Sequence, residues 1–192
     1  RRNVVAVTSS AESCFPEFFR LRQRFESHAL SDVPLAVKQA LDTAHLSDRV
    51  RPGQRVAIAV GSRGIANLRQ IVAEVVRCIC AVGGAPKIIP AMGSHGGATA
   101  QGQAAMLASF GIEADSIGCP IESSMETIVV GTTDDGVDVH FDKRASEADH
   151  VIVINRIKPH TRLVGRLESG LTKMMMIGLG KHRGALLYHQ VF

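Results

Sequence analysis

Residues 55–64 read Arg55-Val56-Ala57-Ile58-Ala59-Val60-Gly61-Ser62-Arg63-Gly64, and this stretch decides the fold. A short apolar, β-branched run, preceded by Pro52-Gly53, ends in a polar turn flanked by glycines, the pattern of a buried strand closed by a loop. From Leu68 onward, the apolar positions Ile71, Val72, Val75, Val76 and Ile79 recur at helical spacing, and Gly83-Gly84 stops them. Lys87-Ile88-Ile89-Pro90 repeats the strand signal and leads into a second small-residue turn, Gly93-Ser94-His95-Gly96-Gly97. Residues 98–110 then read as a helix, with Thr99 as cap and Gly111 as terminator. Strand, helix, strand, helix with short connections predicts an α/β fold, a mostly parallel sheet with helices on both faces, Rossmann-like in layout.

Outward from this unit the same alternation continues. Residues 30–45, with Ser31 or Asp32 as cap, read as a helix before the first strand. Residues 127–130 and 137–141 flank the turn-rich Asp134-Asp135-Gly136, which predicts a hairpin or tight connection. His150-Val151-Ile152-Val153-Ile154 is strongly β-branched and is expected to be a central strand. At 192 residues the chain is long enough for one sizeable core, and residues 1–192 are read as a single α/β domain.

Hydrophobic residues at 45% and charged residues at 21% exclude a disordered or fibrous chain. Aromatics are only 4% with no Trp, which argues against a stacking platform for single-stranded nucleic acid. The net charge of +4 is spread along the chain rather than gathered, which fits small anionic ligands better than DNA. Cys14, Cys78, Cys80 and Cys119 form no disulfide framework and read as reduced thiols; Cys78 and Cys80, two apart in a helical pattern, point to different faces. No stretch approaches the roughly 20 apolar residues that span a bilayer. The expectation is a cytoplasmic protein with a small anionic substrate and neither nucleic acid nor membrane as partner.

In an open α/β sheet, ligands bind outside the carboxyl ends of the strands. Arg63, His95 and His160 each follow a strand-like run and fall at that edge. Arg63 is either a solvated surface cation or a planar fork that grips a carboxylate with two parallel hydrogen bonds. His95 and His160 are either satisfied by backbone partners or act as general acid/base groups, since imidazole titrates near neutral pH. Lys173, at the end of Ser169-Gly170-Leu171-Thr172-Lys173, is either a helix-surface lysine or an amine that bonds covalently to a cofactor carbonyl. His182 and His189 compete as metal ligands, while His28, His45, His140 and His150 are read as structural. Ser62, Gly93 and Gly96 lie where backbone and a hydroxyl approach a ligand, or simply where strands end and a side chain caps a turn. Neither glycine cluster is a GxGxxG or P-loop motif.

Taken in order, Arg63 after the first strand, His95 in a Gly-Ser-His turn, His160 after a later strand, Lys173 and then His189 resemble the nickel-pincer lactate racemases and their relatives. The resemblance covers roughly residue 55 to the end. It implies that Lys173 tethers, through a thioamide, a nickel pincer nucleotide (pyridinium-3,5-bisthiocarboxylic acid mononucleotide nickel), with His189 as the protein's metal ligand. It also implies racemisation or epimerisation of a 2-hydroxy acid by reversible hydride transfer, with His95 and His160 as acid/base groups for the two enantiomers and Arg63 on the carboxylate. Ser62, Gly93 and Gly96 would line the cofactor.

Three departures are visible, the first being Val60 where the family often has an acidic residue before the arginine. The segment 161–172 between the second histidine and the lysine is longer than the family's, although the 16-residue step from Lys173 to His189 is kept. The lysine is followed by Met174-Met175-Met176 rather than a proline. Relatives carry a second domain that closes over the cofactor, so these residues are expected to be an amino-terminal domain that transfers hydride poorly alone. Two other readings stand beside this one: a non-catalytic module holding a small anionic or phosphorylated ligand at residues 61–64 and 93–97, and a zinc or nickel site made of histidines alone.

Overall fold

The computed structural model describes residues 18–24, 29–62, 64–157 and 170–191. Helix α1 (Val33–Thr43) is capped by Asp32, whose side chain accepts from Leu35 N–H at 2.9 Å, and Pro34 sits in its first turn. A short α2 (Leu46–Arg49) leads to β1 (Arg55–Val60), α3 (Leu68–Ala81) and β2 (Ala85–Pro90). A 3₁₀ turn at Gly96–Ala98 precedes α4 (Ala100–Ser109), which Thr99 caps by accepting from Gly102 N–H at 3.0 Å. Then come α5 (Ala114–Ile117), β3 (Thr127–Thr132), β4 (Asp138–Asp142), α6 (Lys143–Ser146) and β5 (His150–Ile154). After residue 170 the chain forms α7 (Leu171–Lys173), a π-helical stretch Met174–Gly178 and α8 (Lys181–Val191).

The main sheet has the order β2-β1-β5, all parallel, and β3-β4 form a separate antiparallel pair. The sequence reading puts residues 150–154 at the centre of the sheet; the structure gives the centre to β1 instead. Residues 56–60 of β1 are buried on both faces, whereas β5 pairs with β1 alone among the described residues and Val151 is 38% exposed. A β-branched run therefore serves here as a half-buried flanking strand.

Alternation along β1 builds two different cores. Val56, Ile58 and Val60 face one layer with Ile88, the α3 residues Leu68, Val72, Val75, Val76 and Ile79, and Leu107 of α4. Each buried Ile or Leu contributes roughly 1.5–3 kcal/mol there. Ala57 and Ala59 face the other layer, with Ile89, Ala91, Ala145, Met174 and Leu179. Small side chains on this face let the segment after Lys173 lie close to the sheet: a Cβ built on Gly61 would stand 3.3 Å from the Met174 side chain.

Cys78 is buried and Cys80 exposed, so the two thiols diverge as their spacing requires, and only the first belongs to the core. Burial pushes the Cys119 thiol up to about 11. Cys14 lies outside the described residues. His140 and His150 are satisfied structurally, against Thr127 Oγ1 at 3.2 Å and Gln54 Oε1 at 3.0 Å. No helix among the described residues is long and apolar enough to cross a membrane.

Candidate functional site

Strand register brings three loops to one edge. Val60 lies opposite both Pro90 and Ile154, and the ladders run one residue further, Gly61 N–H donating to Ile154 O at 3.1 Å and Ala91 N–H to Val60 O at 2.9 Å. Since neighbouring strands are separated by about 4.8 Å, the loops after β2, β1 and β5 leave the sheet within about 10 Å of each other. Those are the loops of His95, Arg63 and His160. Arg63 and the stretch from Lys158 through His160 to Ser169 lie outside the described residues.

Ser62 and His95 meet across this edge. Ser62 Oγ stands 2.5 Å from His95 Nδ1, and both residues are half-buried. A hydroxyl both donates and accepts, so it pairs with Nδ1 whether or not that nitrogen carries the proton. Beside Ser62 a cleft of about 690 Å³ is lined by Gly64, Ile65, Asn67, Leu68 and Phe110, a size suited to a small organic ligand.

The turn under His95 is held from within the protein. His95 N–H donates to Met92 O at 3.1 Å, and the fully buried Gln103 of α4 donates through Nε2 to Gly93 O at 2.9 Å and to His95 O at 3.3 Å. Gly93 has a φ of 60°, and a Cβ there would meet the Ile177 side chain at 3.0 Å, so glycine lets the turn rest on the π-helical stretch. Behind Gln103 lies Lys181, with no exposed side-chain surface. Its ammonium donates to Pro90 O at 2.5 Å and contacts Gln103 Oε1 at 3.4 Å and Asp142 Oδ2 at 2.9 Å. Burial lowers the Lys181 amine below its ordinary value, and the Asp142 carboxylate opposes that shift. Asp142 Oδ1 caps α6 by accepting from Ala145 N–H at 2.7 Å, while among the described residues its Oδ2 accepts no well-aligned hydrogen bond and is compensated by the ammonium.

Lys173 closes α7 and is half-buried; His189 is exposed on α8, its ring edge-on to Tyr188 with centroids 6.2 Å apart. Between them Leu179 N–H donates to Met174 O at 2.8 Å, the five-residue step of a π-helix, and Lys181 takes a φ of 54° that breaks the helix before α8. Asn155 Nδ2 donates to Gly170 O at 2.7 Å, joining the end of β5 to the start of the lysine segment, and Arg156 donates to Gly64 O at 3.0 Å. Sequence reading passes over Asn155, Arg156, Gln103 and Lys181. The first two are signalled by their place directly after a strand; the last two look like ordinary polar positions of helices. Among the described residues no three His, Cys, Asp or Glu side chains gather as a metal site.

The sequence profile of the lactate racemase N-terminal domain matches residues 20–192. The chain belongs to the lactate racemase N-terminal domain family. The lactate racemase N-terminal domain match runs from before α1 through α8, and so takes in the Ser62–His95 pair, the buried Lys181 cluster and the segment bearing Lys173 and His189. No curated protein matches the chain.

Proposed function

We propose that the chain is the catalytic domain of a cytoplasmic racemase or epimerase of a small 2-hydroxy acid, working with a nickel pincer nucleotide tethered to Lys173. Family membership supports the reaction class, and the observation that carries the reading to residues is the 2.5 Å contact between Ser62 Oγ and His95 Nδ1 beside an open cleft at the sheet's carboxyl edge. The donor chemistry fits the cofactor: an amine on α7 for a covalent tether and one exposed imidazole, His189, for one metal position, the other donors belonging to the nucleotide itself. When bound, that cofactor supplies a reversible hydride acceptor.

The protein's own residues handle the proton and the orientation. With Nδ1 given to Ser62, exchange with the substrate hydroxyl falls to Nε2 of His95. The serine hydroxyl accepts from Nδ1–H both while Nε2 is the free base and after Nε2 has taken the substrate proton to give the imidazolium, so one contact holds the ring in both directions of a reversible reaction. His160 performs the same service for the opposite enantiomer, whose hydroxyl points elsewhere. Arg63 holds the substrate carboxylate by a bidentate pair. Gly93, Gly96 and Ser62 border the cofactor, and Ile65, Leu68 and Phe110 give the cleft beside Ser62 an apolar wall.

Co-expression with a pathway that makes the cofactor, followed by intact mass and metal analysis, tests the reading. An adduct with about one nickel per chain, lost in Lys173→Ala, is expected. An unmodified, metal-free chain despite an active pathway points instead to a module that binds small anions without turnover.

A further inference from the structure

Three fully buried polar side chains, Lys181, Asp142 and Gln103, lie outside the chemistry above yet end at its histidine. Burying a lysine is costly unless its charge is compensated, and here Asp142 Oδ2 at 2.9 Å, Pro90 O at 2.5 Å and Gln103 Oε1 at 3.4 Å surround the ammonium. The arrangement dictates how the Gln103 amide lies. Its oxygen must face the ammonium, because the reversed amide would set NH₂ against NH₃⁺ and an acceptor against two carbonyls. In the observed orientation Nε2 donates to Gly93 O and His95 O, the backbone on either side of Ser94.

We infer that Lys181, through Gln103, is a positioning residue for His95: the buried ammonium fixes the amide, and the amide fixes the turn that delivers the imidazole to Ser62. Resting on the reading of His95 as an acid/base group, this links the His95 turn to the helical segment that carries Lys173 and His189, since Lys181 begins α8. A second contact runs the same way, Gly93 N–H donating to Gly178 O at 3.2 Å.

Gln103→Glu tests it. The substitution keeps the volume and the contact to Lys181 but replaces the donor with an acceptor facing two carbonyls. On the 192-residue chain without cofactor, ¹⁵N spectra of the imidazoles report the tautomer of His95, with His140 and His150 as internal standards. The His95 ring resonances are expected to move toward averaged values while the other two stay in place, and exchange protection of the His95 and Ala98 amides is expected to fall about tenfold, the loss of roughly one hydrogen bond. The double variant Lys181→Met/Asp142→Asn, which removes both charges and keeps the acceptor that caps α6, is expected to give the same signature. Unchanged His95 resonances in Gln103→Glu would overturn the inference; a change there but none in the double variant would overturn the part assigned to Lys181. Neither result depends on cofactor loading, so the proposed reaction stands or falls separately.

Discussion

A hydroxyl 2.5 Å from an imidazole nitrogen gives that ring a partner in either protonation state. Ser62→Ala removes the partner and leaves Nδ1 to find another, so in cofactor-loaded protein the racemisation rate is expected to fall about tenfold or more, the equivalent of one hydrogen bond of about 1.4 kcal/mol, with the fold intact by circular dichroism. In the sequence, Ser62 reads as a turn residue near a ligand and His95 as the middle of a glycine cluster. Nothing in their 33-residue separation announces that they touch. Their meeting follows from the parallel register of β1 with β2, which sets both turns at one level, and register between strands is a tertiary property. Lys181 is opaque for the opposite reason: in sequence it has the look of an ordinary polar position of a helix, and only the packed structure encloses it.

Among the elements, β1 and the start of α3 are readable to the residue, because an apolar run ended by glycine and a helical repeat starting at Leu68 are local signals. The helix expected over residues 98–110 is shorter, Ala100–Ser109, since residues 96–98 tighten into a 3₁₀ turn that presses the His95 loop on α4. That contact leaves no room for side chains. A Cβ on Gly102 would stand only 1.8 Å from Gly96 O, and one on Gly96 only 2.5 Å from the Gly102 carbonyl carbon. Gly102→Ala is therefore expected to cost about 1–3 kcal/mol or more by urea unfolding, although alanine favours helices elsewhere. The π-helical stretch had no legible signal: Met174-Met175-Met176 has ordinary helical propensity, and the extra residue per turn comes from packing against the alanine face of β1.

For the molecule as a whole, acid and base act through different groups. Hydrogen bonds from the Arg77 guanidinium, ahead of any other influence, hold the Glu74 carboxyl below its ordinary 4.5, and the backbone N–H of Arg55 does the same for Asp149 below 3.8. A folded-state value below the unfolded one means stabilisation that is present above the unfolded value and lost as pH falls through the folded value. Thermal midpoints of the parent and Glu74→Gln are accordingly expected to differ near neutrality and to converge below pH 4.5. Lys181 also has a lowered value but from a cost rather than a gain: its burial weighs on the fold at neutral pH, and that cost is relieved as pH rises between the folded value and 10.5. The layered α/β plan was readable from the alternation of strand and helix signals, whereas the second covering layer, made of β4, α6 and the segment after Gly170, was not, because its pieces are short and join only in three dimensions. One bond at that layer, Asn155 Nδ2 to Gly170 O, ties the residue after β5 to the residue before the lysine helix. The start of the lysine helix is thereby moored to the sheet itself, so its place is set by the strand end at Asn155 rather than by the count of residues between His160 and Lys173.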